Sequence, residues 1–297
     1  MTKSKFEGID YSYQKSVSFS QYSTYKTCNY RWYLDKVKKL EEFKKSIHLI
    51  FGTALHETLQ LYLQTMYDTS IKEADAIDLV DFFKTKFVEL YQENSKEEHF
   101  STAEQLREFF SDAIDIIEAF KRRRQLYFSK KGVKLIGIEI PVLTKIVDEV
   151  DNVFFRGAID LVLYDQDLDK YTIYDIKTST RGWSDYEKKD QTKINQILLY
   201  KGVYSKLMNI PEEKIEVEFF IVKRKLPENT EYAVQRIQEF KPANGTKKVK
   251  QAMEDFQAFV RDVFTPEGKF IDKEYPKNLN GCRFCPYIDK PDICKRD

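Results

Sequence analysis

YTIYDIKTST, residues 171–180, is the stretch whose reading decides the fold. A strand alternates its side chains between two faces. Extended, Tyr171, Ile173, Asp175 and Lys177 point one way, and Thr172, Tyr174, Ile176 and Thr178 the other. The run is rich in β-formers, and its only interior charges are Asp175 and Lys177. A carboxylate and an ammonium on one face of a mostly apolar strand are costly to bury unless they pair or bind something. Taken alone, they read as a structural ion pair at the end of a strand.

Moving upstream, residues 165–170 (DQDLDK) form a tight polar turn, and residues 153–164 (VFFRGAIDLVLY) form another strand. Phe154, Arg156, Ala158, Asp160 and Val162 share one of its faces, so the two strands read as a hairpin. Residues 133–143 (VKLIGIEIPVL) are a further strand, carrying Glu139. Before Gly132 the apolar period is helical rather than alternating. A helix over residues 20–36, capped by Ser18 or Ser20, places Cys28 on its inward stripe. A second begins near Gly52, with His56 inside the stripe of Phe51, Leu55, Leu59, Tyr62, Leu63 and Met66. Residues 73–93 and 102–128 are two long amphipathic helices, a lobe beside the sheet, joined by a polar loop at 93–100. Residues 1–19 read as irregular.

Downstream of the hairpin, residues 180–190 are a polar loop with Gly182, Trp183 and Tyr186. A helix follows over 190–208, with Gln196, Tyr200, Val203 and Leu207 along one face. Residues 215–222 are an apolar strand, 231–240 another, and 242–264 a helix. The expected fold class is α/β: one domain with a mixed central sheet flanked by helices, a helical insertion at about 73–128, and a cysteine unit joining Cys28 to residues 265–297.

Composition sets bounds. Of 297 residues, 42% are hydrophobic and 33% charged, and no apolar run reaches membrane-spanning length. The N-terminus lacks the apolar core of a signal peptide, so a cytoplasmic protein without a membrane partner is expected. With 49 basic and 48 acidic residues, bulk charge does not single out an anionic partner. Local basic clusters at 121–124 (KRRR), 223–225 (KRK) and Lys247, Lys248 and Lys250 are either solvated faces or phosphate contacts. Four cysteines are unevenly placed: Cys28 alone, then Cys282, Cys285 and Cys294 near the end. In a reducing compartment, such a set reads as metal ligands rather than disulfides.

Asp160 and Asp175 lie fifteen positions apart on the two arms of the hairpin. Adjacent strands are about 4.8 Å apart, so two carboxylates on one face could share a hard cation such as Mg²⁺. Lys177, one step outward, could orient or deprotonate a water or stabilise phosphorane charge. This is an arrangement suited to metal-assisted phosphodiester hydrolysis.

These residues resemble a family. Gly157-x-x-Asp160 followed by Asp175-Ile176-Lys177-Thr178 resembles the core of the PD-(D/E)xK nucleases. Gly52-Thr53-Ala54-Leu55-His56 and Gln196-Ile197-Leu198-Leu199-Tyr200 resemble the GxxxH and QxxxY helix motifs of the RecB-like branch. The resemblance implies that His56, Asp160, Asp175 and the Ile176 carbonyl hold Mg²⁺ or Mn²⁺. It makes Lys177 the catalytic lysine, and Gln196 and Tyr200 supporting residues that contact DNA. Glu139 stands where some members carry an additional acidic residue. Asp175 departs from the glutamate of many members, though RecB-like members often use Asp. The four cysteines resemble the iron–sulfur members of this branch, the AddB nuclease domain and the CRISPR-associated exonucleases. A [4Fe–4S] cluster is implied, and a Cys₄ zinc site uses the same ligands. The expected function is DNA exonuclease activity on single strands or free ends, in bacterial or phage recombination, repair or CRISPR-type processing. Trp183 and Tyr186 are candidates for base stacking. A catalytically inactive DNA-end or protein-interaction module and a zinc-stabilised nuclease are the alternatives.

Overall fold

The computed structural model describes residues 15–40, 46–95, 100–128, 131–227 and 234–295. In chain order it has β1 (Lys15–Val17), α1 (Phe19–Thr27), α2 (Asn29–Lys36), α3 (Ile47–Asp68), α4 (Ile71–Ala76), α5 (Leu79–Asn94) and α6 (Ala103–Tyr127). Then come β2 (Val133–Thr144), β3 (Val153–Asp165), β4 (Lys170–Ser179), α7 (Asp185–Lys188), α8 (Gln191–Met208), β5 (Ile215–Lys223), β6 (Ile237–Phe240) and α9 (Thr246–Val263). The six strands form one mixed sheet in the order β1-β3-β4-β5-β6, with β2 also paired to β3. The β3–β4 hairpin is antiparallel, and β4 runs parallel to β5.

Both faces of the sheet are covered, which explains why β5 (IEVEFFIVK) is an almost continuous apolar run. Val217, Phe219 and Ile221 face a core built with α1, α8 and α9; Phe220 and Val222 face one built with α3, α5 and α6. The apolar stripe of α3 drives the second packing: Phe51, Leu55, Leu59, Tyr62 and Leu63 are all buried. Each such side chain contributes about 1.5–3 kcal/mol when fully removed from water. Gly52 makes the approach of α3 to β4 possible, since a Cβ there would lie 2.9 Å from Thr178 Oγ1.

Several elements differ from the sequence expectations. Residues 15–17, read as irregular, form β1, which pairs in parallel with β3 at Phe155; residues 1–14 lie outside the described residues, as do 96–99 of the expected loop and 231–233 of the expected strand at 231–240. The helix expected over 20–36 is broken at Cys28, which caps α1 and whose Sγ accepts the Arg31 N–H at the start of α2. Cys28 therefore sits at a corner, not on a continuous inward stripe. The helix at 73–93 divides at Ile77, after which Asp78 caps α5. Helix α3 begins five residues earlier than Gly52, behind a Ser46 cap.

Candidate active site

The sheet changes phase where the site lies. Between the paired positions Ile138–Leu161 and Ile140–Ile159 stand Glu139 and Asp160. Ile138 and Leu161 pack with the lobe-side core, while Ile140 and Ile159 pack with the opposite one. Regular alternation would put both pairs on one face. The reversal coincides with Glu139 in the left-handed region, φ 52°. A non-glycine residue there is held by its surroundings at a cost of about 1–3 kcal/mol, a condition common at functional sites. A register shift between Leu135 and Gly137 precedes it on the same strand. On the other edge of β3, pairing with β1 ends at Phe155 and pairing with β4 starts at Leu161, leaving a notch between.

Into this notch α3 delivers His56. Its Nδ1 lies 3.2 Å from Glu139 Oε1 and its Nε2 lies 3.2 Å from Asp160 Oδ2. One ligand atom from each of His56, Glu139 and Asp160 falls within 4.8 Å of the others, at half-buried positions. The Ile176 N–H donates to Asp160 Oδ2 at 2.7 Å, which ties the carboxylate to β4 where the hairpin ladder has ended. Burial opposes a charge on His56, but Asp160 and Glu139 outweigh it and raise its pKa to about 9. The metal-free histidine is thus an imidazolium between two carboxylates, a set of charges that a divalent cation can replace once the ring gives up its proton. An imidazole and two carboxylates suit Mg²⁺ or Mn²⁺, so the residues fit the ion.

Asp175 stands back from this triad. It is 3% exposed, and Lys177 Nζ lies 2.8 Å from its Oδ2 and 3.1 Å from its Oδ1. Burial raises the Asp175 pKa while Lys177 pulls it down. Burial works against the Lys177 charge too, but Asp175 and Asp160 more than compensate, so its pKa is raised and it remains an ammonium. Lys177 Nζ also donates to Gln196 Oε1 at 3.1 Å. Tyr200, one turn further along α8, is packed on Gly157: a Cβ there would be 2.7 Å from the Tyr200 hydroxyl. Burial raises the Tyr200 pKa, so the phenol stays protonated. The carboxylates expected to share one cation therefore have different partners here: Asp160 joins His56 and Glu139, and Asp175 holds Lys177. An open cavity of about 460 Å³ exposes the triad between Gly52, Thr53, Ile176, Lys177 and Thr178.

Gln60 was not singled out from the sequence. It follows His56 by one turn of α3, and its Nε2 donates to Glu139 Oε1 at 2.8 Å. Its helical spacing from His56 was the available clue.

Other expectations are corrected. Trp183 is buried at 8% exposure with its ring centroid 4.7 Å from that of Phe219, so it does not offer a face to bases. Tyr186 is 86% exposed. Two residues of the KRK cluster are engaged internally: Arg224 is buried over Phe109 and paired with Glu108 and Asp112, and Lys225 bonds the same two acids. In KRRR, Lys121 and Arg124 hold the end of α4 at Asp75 and Ile77, leaving Arg122 and Arg123 exposed. Lys247, Lys248 and Lys250 are exposed.

The four cysteines, all free thiols, line one pocket with Tyr287. Cys28 Sγ accepts the N–H of Arg31 and the N–H of Asn278. The Cys294 thiol is pushed up by burial, and the neighbouring Cys285, Cys28 and Cys282 add to the shift. Four sulfurs lining one pocket are a donor set suited to a cationic centre.

Over residues 16–294 the chain matches the PD-(D/E)XK nuclease superfamily, and it belongs to that superfamily. Among solved structures, a protein from Eubacterium rectale described provisionally as an exonuclease superposes with a TM-score of 0.48 at 13% identity, covering 87% of this chain and 84% of its own. No curated protein matches. Among the described residues, no helix is long and apolar enough to cross a membrane.

Proposed function

We propose that this chain is a divalent-metal-dependent DNA exonuclease of the RecB-like, iron–sulfur branch of its superfamily, built as a single nuclease domain with a helical lobe. The observation that carries the reading is the convergence of His56, Glu139 and Asp160 beside the Asp175–Lys177–Gln196 chain. Mg²⁺ or Mn²⁺ would be held by the triad, with Asp175 and the Ile176 carbonyl as further proposed ligands, and would supply a water of lowered pKa and neutralise phosphodiester charge. Asp160 keeps its carboxylate aimed through the Ile176 N–H. Lys177, an ammonium in this setting, offers its remaining donor capacity to a phosphoryl oxygen and stabilises the charge that develops there. Gln196 and Asp175 fix its position. Tyr200 fills the space over Gly157 and excludes water from behind the reacting group.

The four cysteines are assigned a [4Fe–4S] cluster that joins the two ends of the chain, with zinc as the other ion this set can hold. Exposed Arg122, Arg123, Lys247, Lys248 and Lys250 are assigned to phosphate contacts, with DNA binding that weakens with salt. Single strands or free ends are the proposed substrates, in recombination, repair or CRISPR-type processing with protein partners. The test is digestion of end-labelled single- and double-stranded DNA with Mn²⁺, with and without a chelator. Chelator-sensitive shortening from an end supports the reading, and DNA that stays intact under every metal condition rejects it. Visible absorbance after anaerobic purification distinguishes the cluster from colourless, zinc-loaded protein.

A further inference from the structure

Glu139 occupies a backbone conformation that its residue type disfavours, on the strand position opposite Asp160. Something must hold it there. His56 contacts one of its oxygens from α3, and a second α3 group contacts the same oxygen: Gln60 Nε2, at 2.8 Å. The same amide lies 3.4 Å from the Asp160 main-chain carbonyl. One side chain therefore reaches across β2 and β3 where the sheet reverses phase, and touches both acid-bearing residues of the triad. Gln60 is 7% exposed, so this amide is set in the protein interior and not on a solvated surface. A buried amide without partners costs about 1–3 kcal/mol, so these two contacts also fix the Gln60 rotamer.

We propose that Gln60 is a positioning residue that presets Glu139 as a metal ligand. Its amide donates to one Glu139 oxygen and fixes the carboxylate beside His56 and Asp160. Hydrogen-bonded partners of ligands orient them, and losing one costs about 10–100-fold in metal affinity. The inference rests on the metal-site reading above, but it concerns binding of the ion and not cleavage.

The experiment is Mn²⁺ titration of DNA-free protein by calorimetry for wild type, Gln60→Met, Glu139→Gln and the double variant. Gln60→Met keeps the volume and removes the donor. The expected result is a Kd weakened about 10–100-fold in Gln60→Met, with melting of the metal-free protein little changed. In the Glu139→Gln background the same substitution should have little further effect, because the two residues act through one contact. Gln60→Leu, which also removes the donor without adding charge, is the companion variant should Gln60→Met fold poorly; it too should weaken Mn²⁺ binding. Unchanged Mn²⁺ affinity, or fully additive losses in the double variant, overturns the proposal. The two readings separate cleanly. A wild type that cuts DNA but whose Mn²⁺ affinity ignores Gln60 rejects only this inference. A protein whose Mn²⁺ affinity depends on Gln60 but which never cuts DNA rejects only the nuclease activity.

Discussion

The acidic notch and the cysteine staple are both places where distant segments meet, but they are held differently. In the notch, the charges have protein partners: His56 has two carboxylates, Asp160 has the Ile176 N–H, and Asp175 has Lys177. The geometry is set by two cores and a sheet, before any ion arrives. In the cysteine cluster, Cys28, Cys282, Cys285 and Cys294 line one pocket, and burial and the neighbouring thiols push the Cys294 thiol up. Protein contacts there include buried Tyr287, which bonds Asp35 at 2.6 Å, and Asn278, which bonds the Thr27 carbonyl at 2.9 Å. The difference teaches that one site is preorganised by the fold, while the other, on the proposal of a bound ion, would couple that ion to folding of the ends.

The largest effect that could break this comparison is at the staple. Metal-coupled folding of small thiolate sites is worth on the order of 10 kcal/mol. Cys285→Ser should therefore lower the melting temperature sharply and raise amide exchange in α1, α2 and residues 265–295, with β3 and β4 still protected. Uniform protection in the variant would show that the staple is ornamental to stability. Next comes the buried pair. Lys177→Met leaves Asp175 without its cation and should destabilise by about 3–5 kcal/mol in urea unfolding. Adding Asp175→Asn should restore most of that stability and none of the activity. If the double variant is no more stable than the single one, the pair is not what holds the notch. Third, Asp160→Asn should cut Mn²⁺-dependent digestion by about 10²–10³-fold while the fold melts within a few degrees of wild type. Collapse of the fold instead would mean that the notch, too, depends on its charges for structure.

The smallest effect concerns a buried carboxyl outside both sites. Glu218 on β5 is raised from 4.5 to about 7, by burial and by a hydrogen bond with Glu239. The unfolded chain releases this proton near 4.5, whereas the native state keeps it to about 7. Stability is therefore lost as pH rises through that window and levels off above it. Glu218→Gln should remove that slope and be more stable than wild type at pH ~8, by about 2–3 kcal/mol relative to pH ~5. Urea midpoints at the two pH values decide; parallel shifts at both would assign the effect to packing.

Much of the molecule could be read in one dimension. The hairpin and the helices bearing His56 and Gln196 with Tyr200 follow from period and spacing, because alternation and helical repeat are local properties. The double-sided burial of β5 was visible in its apolar run. Other features depended on contacts between elements. That β1 joins the sheet depends on β3 having a free edge at Phe155. That Trp183 packs inward depends on Phe219 and Phe240 being beneath it. The basic clusters looked alike in sequence; acids on α6 committed Arg224 and Lys225, and nothing local foretold it.

The sequence by itself determined the residue types and their periodic placement: two acids, a lysine, a histidine and four cysteines in positions that suit two metal centres. Only the tertiary structure decided how the acids divide, with Asp160 beside His56 and Glu139 while Asp175 holds Lys177. The physical reason is a left-handed residue facing Asp160 across two strands. It reverses the alternation of both at one level, and no pattern of hydrophobic and polar residues encodes where such a strained position will be supported.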